Sequence, residues 1–97
     1  MGEVLPLRRP EADEPLWREL VGREIRQSRH ERGERLVDVA GRAGVSPQYL
    51  SEVERGLKDV SSEMLAAVAG ALDLTVRELS TRAAGGLERG TTLCLAA

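Results

Sequence analysis

Residues able to perform covalent or metal-dependent chemistry are scarce in this chain. It has 97 residues, with His30 as its single histidine and Cys94 as its single cysteine. A nucleophile–base pair, a metal-ligand cluster or a glycine-rich phosphate loop would each need a spacing of residues that the sequence lacks. The sequence therefore predicts no enzyme, no metal and no cofactor, and directs attention to side chains suited to binding.

The segment 47–52 holds side chains that can contact the edges of DNA bases. The Gln48 amide matches N6 and N7 of adenine, and the Glu52 carboxylate can accept a hydrogen bond from cytosine N4. Ser51 can hydrogen-bond to a base or a phosphate, and Pro47 offers an apolar contact, for example to a thymine methyl group. The alternatives are a solvated Gln48 and a Glu52 paired with a neighbouring arginine.

Cationic and hydroxyl groups border this segment. Arg55 and Lys58 are candidates for contacts with DNA phosphates, which position a protein without specifying sequence; the alternative is a solvated charged edge. The Tyr49 hydroxyl can bond a phosphate while its ring packs inward, and a role in the core alone is equally open. Ser46 is a further candidate backbone contact, and its hydroxyl also suits a helix cap.

Hydrophobic periodicity predicts that two helices precede these side chains. Trp17, Val21 and Ile25 recur every four residues, which is typical of an amphipathic helix over about residues 16–33. Arginine recurs every three residues on the other side of the same helix. A shorter helix is expected over residues 36–43, where apolar residues again share one face.

A tight turn is predicted to lead into the third helix. Gly44 can take the left-handed backbone conformation that a sharp helix exit needs. Ser46 can then cap the next helix, with Pro47 at its first position, where the missing N–H costs nothing. This third helix is expected to run from Ser46 to about Arg55 and to carry the base-contacting segment.

The rest of the chain supplies core and termini. A fourth helix is predicted after Ser61 or Ser62, and Thr75 with Glu78 forms a capping-box pattern that opens a fifth. The fold class is therefore all-α, with five helices.

The folded domain is expected over residues 16–82. Residues 1–15, which contain three prolines, are interpreted as a flexible leader, and residues 83–97 as a flexible C-terminal tail.

Charge and composition are compatible with a nucleic-acid partner without requiring one. The formal net charge is −2, which argues mildly against such a partner, but the first 14 residues hold four acidic residues against two arginines and the rest is nearly neutral. Cys94 lacks a partner for an internal disulfide, and no apolar run approaches the roughly 20 residues that span a bilayer. A cytoplasmic protein without membrane contact is expected.

The geometry of the predicted hairpin leaves DNA binding and a plain helical bundle about equally open. A short helix held across another one can lie in the major groove with its N-terminal residues aimed at base edges. Residues 21–29 and 40–56 add a resemblance, since they include the runs VGREIR, GVS and YLSEVERG. Over residues 20–80 the chain resembles the phage-repressor (Cro/C1, XRE) helix-turn-helix family, and more narrowly the actinobacterial Clp gene regulators.

The resemblance implies a lambda-repressor-like DNA-binding domain in a transcription factor that acts on protease and stress genes. Arg29 and Glu54 match the inter-helix ion pair of the family. Where the family often has a Thr or Ser cap followed by a Gln that bonds the DNA backbone, this chain has Arg35 and Leu36. Arg35, reinforced by Arg42, is the expected substitute for that contact.

The resemblance also implies a homodimer on palindromic double-stranded DNA, with half-sites about 34 Å apart. The expected dimer contact is the fifth helix, through Val76 and Leu79, together with part of residues 83–97. These residues are equally suited to closing the core of one subunit.

The last three residues, Leu95, Ala96 and Ala97, resemble the ending of the tag that marks stalled bacterial products for Clp proteases. This implies a degradation signal, a Clp protease or unfoldase as partner, and feedback in which the protease destroys its own activator. The alternatives are an inert end and, for the whole chain, an antitoxin-type module that uses the fold to hold a protein partner.

Overall fold

A computed structural model describes residues 16–96, with side chains described for residues 16–86. Within this part the chain forms five α-helices and no strand. Their bounds are α1 Trp17–Glu31, α2 Leu36–Ala43, α3 Pro47–Glu54, α4 Ser62–Ala71 and α5 Val76–Ala96. The predicted all-α fold with five helices is confirmed.

The helices surround a single aliphatic core. α1 packs against α3 and α5, while α2 packs against α3 and α4. The largest fully buried side chains come from all five helices: Ile25, Val39, Leu50, Val53, Val68 and Leu79. α3 contributes Leu50 and Val53 to this core, and Pro47 and Gln48 in its first turn are left exposed.

Side-chain caps set the helix starts that the sequence predicted. The Ser61 hydroxyl accepts the Met64 N–H at 3.2 Å. Thr75 and Glu78 bond each other's backbone N–H groups reciprocally, at 2.8 and 3.0 Å. Each cap satisfies donors that the first turn of a helix leaves without a partner.

Two features differ from the sequence-based expectation. Trp17, expected on the apolar stripe of α1, is half exposed, because it lies in the first turn, before the part of the helix that packs against the core. α5 does not end at Arg82 but continues to Ala96. Ala83 is buried in the core, so packing holds the backbone helical past the point where composition suggested a tail.

No helix in the described part of the chain is both long and apolar enough to cross a membrane.

Candidate nucleic-acid interface

The turn between α2 and α3 presents the N-terminus of α3 to solvent. Gly44 has a φ of 75°, and the Val45 N–H donates to the Ala40 carbonyl at 3.0 Å, which closes α2 sharply. The Ser46 hydroxyl then accepts the Tyr49 N–H at 3.0 Å. The Ser46 side chain therefore caps α3, and its backbone contact with DNA stays a prediction.

α3 has one buried face and one exposed face. Pro47 and Gln48 are exposed in its first turn, and Ser51 and Glu52 are partly buried one turn later. Tyr49 is partly buried and packs against the core. No side chain in the described part of the chain hydrogen-bonds the Gln48 amide. The amide is therefore available, without rearrangement, to a partner lying along α3.

Arg29 and Glu54 fix α3 against α1. Arg29 Nε donates to Glu54 Oε2 at 2.8 Å and Arg29 Nη2 donates to Glu54 Oε1 at 3.0 Å, which makes a double, parallel pair. The Glu54 side chain is only 5% exposed. These hydrogen bonds raise the pKa of the Arg29 guanidinium further above its already high ordinary value, so the guanidinium stays charged.

A close backbone approach supports the same contact. An added Cβ at Gly22 would lie 2.1 Å from the carbonyl oxygen of Val53 and 2.8 Å from that of Glu54. Only a glycine at position 22 therefore lets the end of α3 come this close to the backbone of α1. Gly22 was not among the predicted site residues, although a glycine inside a helical pattern is a signal of close packing.

The segment after α3 is also anchored to α1. Arg18 Nε donates to the Gly56 carbonyl at 3.0 Å, and Arg18 Nη1 lies 3.7 Å from Asp59 Oδ1. Within the anchored segment, Lys58 Nζ lies 3.7 Å from Glu52 Oε1. Glu52 therefore has a cationic neighbour, as one alternative expected, but the neighbour is a lysine.

The two arginines proposed for α2 have partners within the protein. Arg35 donates to both carboxylate oxygens of Asp38 at 3.3 Å and remains largely exposed. Arg42 Nη2 donates to the Ala71 carbonyl at 2.8 Å and to Glu34 Oε1 at 2.6 Å. Arg42 thus ties α2 to the end of α4 through its Nε and Nη2 donors.

The carboxylates of these pairs stay ionised over a wide pH range. Hydrogen bonds from Arg32 and Arg42 lower the pKa of Glu34. The Arg35 side chain and backbone N–H likewise lower the pKa of Asp38, whose carboxylate caps the start of α2. Both acids therefore keep their arginine partners engaged at neutral pH.

Two adjoining clefts lie between α1 and the outer side of α3. One, of about 250 Å³, is lined by Arg26, Arg29, Leu36, Ser51, Glu54 and Arg55. The other, of about 310 Å³, is lined by Glu19, Arg23, Arg26, Glu54 and Arg55. Arg23 and Arg26 were not among the predicted site residues. The signal that could have identified them is the arginine at every third position of α1 from residue 23 onward.

Several expectations fall on other parts of the chain. Leu79 is fully buried within one subunit, whereas Val76 is exposed, so Leu79 closes the monomer core rather than offering a dimer contact. The leader 1–15 and Ala97 lie outside the described residues, as do the side chains of Leu95 and Ala96. No cluster of potential metal ligands occurs in the part of the chain that the structure describes.

The fold and the exposed helix after a glycine turn define a class of protein. The chain belongs to the helix-turn-helix domain family, whose model matches residues 20–84. It is similar to the transcriptional regulator ClgR of Mycobacterium tuberculosis, with 49% identity over 59 residues, which cover 61% of this chain and 53% of that protein. The chain thus spans about half the length of this curated relative.

Solved structures agree with this assignment. The clp gene regulator ClgR of Corynebacterium glutamicum has a TM-score of 0.78 and 44% identity, covering 86% of this chain and 89% of that one. The restriction-modification controller protein C.AhdI of Aeromonas hydrophila has a TM-score of 0.62 and 32% identity, covering 64% and 94%. The resemblance to XRE-type transcriptional regulators is confirmed.

Proposed function

We propose that the chain is a sequence-specific DNA-binding transcriptional regulator that places α3 in the major groove. The observation that carries this proposal is the exposed first turn of α3, with a free Gln48 amide on a helix braced by Arg29 and Glu54. A major groove about 12 Å wide accepts one helix, and a helix held at a fixed angle can aim its N-terminal side chains at base edges.

The residues around α3 take different roles in this proposal. Gln48 pairs with adenine, and Pro47 and Ser51 contact neighbouring bases. Arg55 and Lys58 contact phosphates and set the register of the protein on the duplex. Because Glu52 lies 3.7 Å from Lys58, its charge is partly offset beside the phosphates.

The proposed assembly is a homodimer on a two-fold symmetric operator. A single helix spans only a few base pairs, so two copies with half-sites about 34 Å apart supply the length that specific regulation needs. Acting on chromosomal DNA would place the protein in the cytoplasm.

Selection of bound duplexes from a random pool, followed by fluorescence anisotropy on the enriched sequence, tests the proposal. We expect a symmetric motif, with affinity that falls as salt rises and that exceeds affinity for a scrambled duplex by at least about 10³-fold. Failure to enrich any motif, together with equal binding to all duplexes, would refute sequence-specific regulation.

The proposed target genes encode Clp proteases. Similarity to two ClgR proteins, one of them described as a clp gene regulator, supports this assignment. The selected motif should occur upstream of clp genes in the source genome, and deleting the gene for this chain should lower their transcripts under protein-damaging stress. Unchanged transcripts with an occupied promoter would remove clp activation from the proposal.

The Leu95-Ala96-Ala97 ending is proposed as a degradation signal, supported by its small apolar residues. Changing Ala96 and Ala97 to aspartate should lengthen the half-life of the protein in cells with Clp protease and leave it unchanged in cells without it. Equal half-lives for both proteins in the first strain would show that the ending is inert.

A further inference from the structure

Four exposed arginines of the described domain, Arg23, Arg26, Arg55 and Arg77, have no carboxylate partner there. None of the four forms an ion pair within 4.0 Å among residues 16–86. The other arginines in this part of the chain are paired. Exposed cations without partners leave their hydrogen-bond donors open to an external anion.

Three of the four, Arg23, Arg26 and Arg55, lie together, next to the outer side of α3. Arg26 and Arg55 line the cleft that Ser51 also lines. Arg23 joins them in the neighbouring cleft. They therefore form a continuous row, from the C-terminal end of α3 along the exposed side of α1, which we call the arginine row.

The acidic groups beside the arginine row are already engaged. Both carboxylate oxygens of Glu54 accept hydrogen bonds from Arg29. Glu19 Oε1 accepts the Leu16 N–H at 3.0 Å. The carboxylates that line the two clefts therefore each have another hydrogen-bond partner within the protein.

The row also lies on a different side of α3 from Lys58. Glu52 contacts Lys58, whereas Ser51 lines the cleft with Arg26. Adjacent residues of a helix point about 100° apart, so the two cationic sites flank α3 in different directions. A helix in the major groove has a sugar-phosphate strand along each side, and both strands need cationic contacts.

The start of α2 offers no free cation on the side of α3 where the arginine row lies. Leu36, which lines the same cleft, has no side-chain donor. Arg35 is engaged with Asp38 at 3.3 Å. We infer that Arg23, Arg26 and Arg55 form a second phosphate-binding site. This site contacts the sugar-phosphate strand that runs along α3 on a different side from Lys58.

This inference rests on the proposed function and adds two residues of α1 to the DNA contact. Guanidinium groups suit phosphates because their planar donors match two oxygens at once. The site binds phosphodiester groups whatever the base sequence, so it contributes affinity and register without base preference.

Salt-dependent anisotropy titrations of Arg23→Gln, Arg26→Gln and Arg55→Gln test the inference, with the selected duplex and with an unrelated one. Each lost phosphate contact should lower the slope of log K against log salt by about 0.9, and the dissociation constants for both duplexes should rise by the same factor. Arg77→Gln, which removes an exposed arginine of α5 outside both clefts, is the matched control and should keep the slope of the unmodified protein.

Ethylation interference locates the contacts. Arg26→Gln should lose interference at phosphates on one strand beside the half-site and keep it at phosphates contacted by Lys58. Selective binding with unchanged slopes and unchanged interference in Arg23→Gln and Arg26→Gln would overturn the inference while the proposed function stood. If the unmodified protein binds no duplex, both fail. Thermal melting checks that each variant is folded.

Discussion

Arg29 holds Glu54 through two parallel hydrogen bonds of 2.8 and 3.0 Å, and a third, from Nη1 to the Glu34 carbonyl, measures 3.1 Å. One guanidinium thus joins α1, the end of α3 and the segment before α2. The angle at which α3 leaves the domain depends on this side chain, so the pair connects the stability of the fold with the geometry of the proposed DNA contact.

Arg29→Ala should lower the free energy of unfolding by about 3 kcal/mol, because it leaves the Glu54 carboxylate buried without its counter-charge. Urea denaturation measures the change. Replacing both residues by apolar ones, Arg29→Met with Glu54→Leu, should cost less than Arg29→Ala alone, because no buried charge remains. A loss below about 1 kcal/mol for Arg29→Ala, as at a surface pair, would show that the pair does not brace α3.

Gly22→Ala should destabilise the protein by about 1–3 kcal/mol, since the new methyl group would overlap the Val53 carbonyl. It should also weaken DNA binding, because α3 must move away from α1. The control is Gly70→Ala in α4, where an added Cβ meets nothing within 4 Å. That variant should be as stable as the unmodified protein or up to about 1 kcal/mol more stable. Equal effects of the two substitutions would contradict the close approach.

Glu34 should make part of the stability depend on pH. Its pKa is lowered in the folded protein by hydrogen bonds from Arg32 and Arg42, so its contribution is complete above the ordinary glutamate pKa and is lost as pH falls through the folded value. Glu34→Gln should therefore melt at a lower temperature than the unmodified protein at neutral pH, and the difference should shrink in acid. A difference in melting temperature that is constant from neutral to acid pH would contradict this role.

Lys58→Ala should weaken binding to selected and unrelated duplexes by the same factor and lower the salt slope by about 1. The reason is that a phosphate contact carries no base information. Lys58→Arg keeps the charge and should retain most of the slope. A loss confined to the selected duplex would instead give Lys58 a role in sequence recognition.

Local signals predicted the helix-turn-helix more accurately than the elements around it. Gly44, Ser46 and Pro47 act through their own backbone and nearest neighbours, so their pattern predicted the turn and the start of α3 as observed. α5 was predicted to end early because the burial of Ala83 depends on the other helices. Composition contains no information about that packing.

The sequence was also a poor guide to which side chains contact each other across different helices. The ion pair of Arg29 with Glu54 came from a family resemblance, and the structure brings the two together. The contact of Arg42 with the end of α4 and the close approach at Gly22 had no counterpart in any local pattern. The arginine period on α1 was visible, but only the fold places Arg23 and Arg26 beside α3.

Base recognition by Gln48 is tested most directly by titrating the unmodified protein and Gln48→Ala against a set of duplexes, each with one base pair of the selected motif changed. Gln48→Ala should lose discrimination of about 1–3 kcal/mol at a single adenine position in each half-site and keep it elsewhere. Discrimination that is unchanged at every position, or reduced equally at all of them, would contradict the placement of α3 in the major groove with Gln48 on a base.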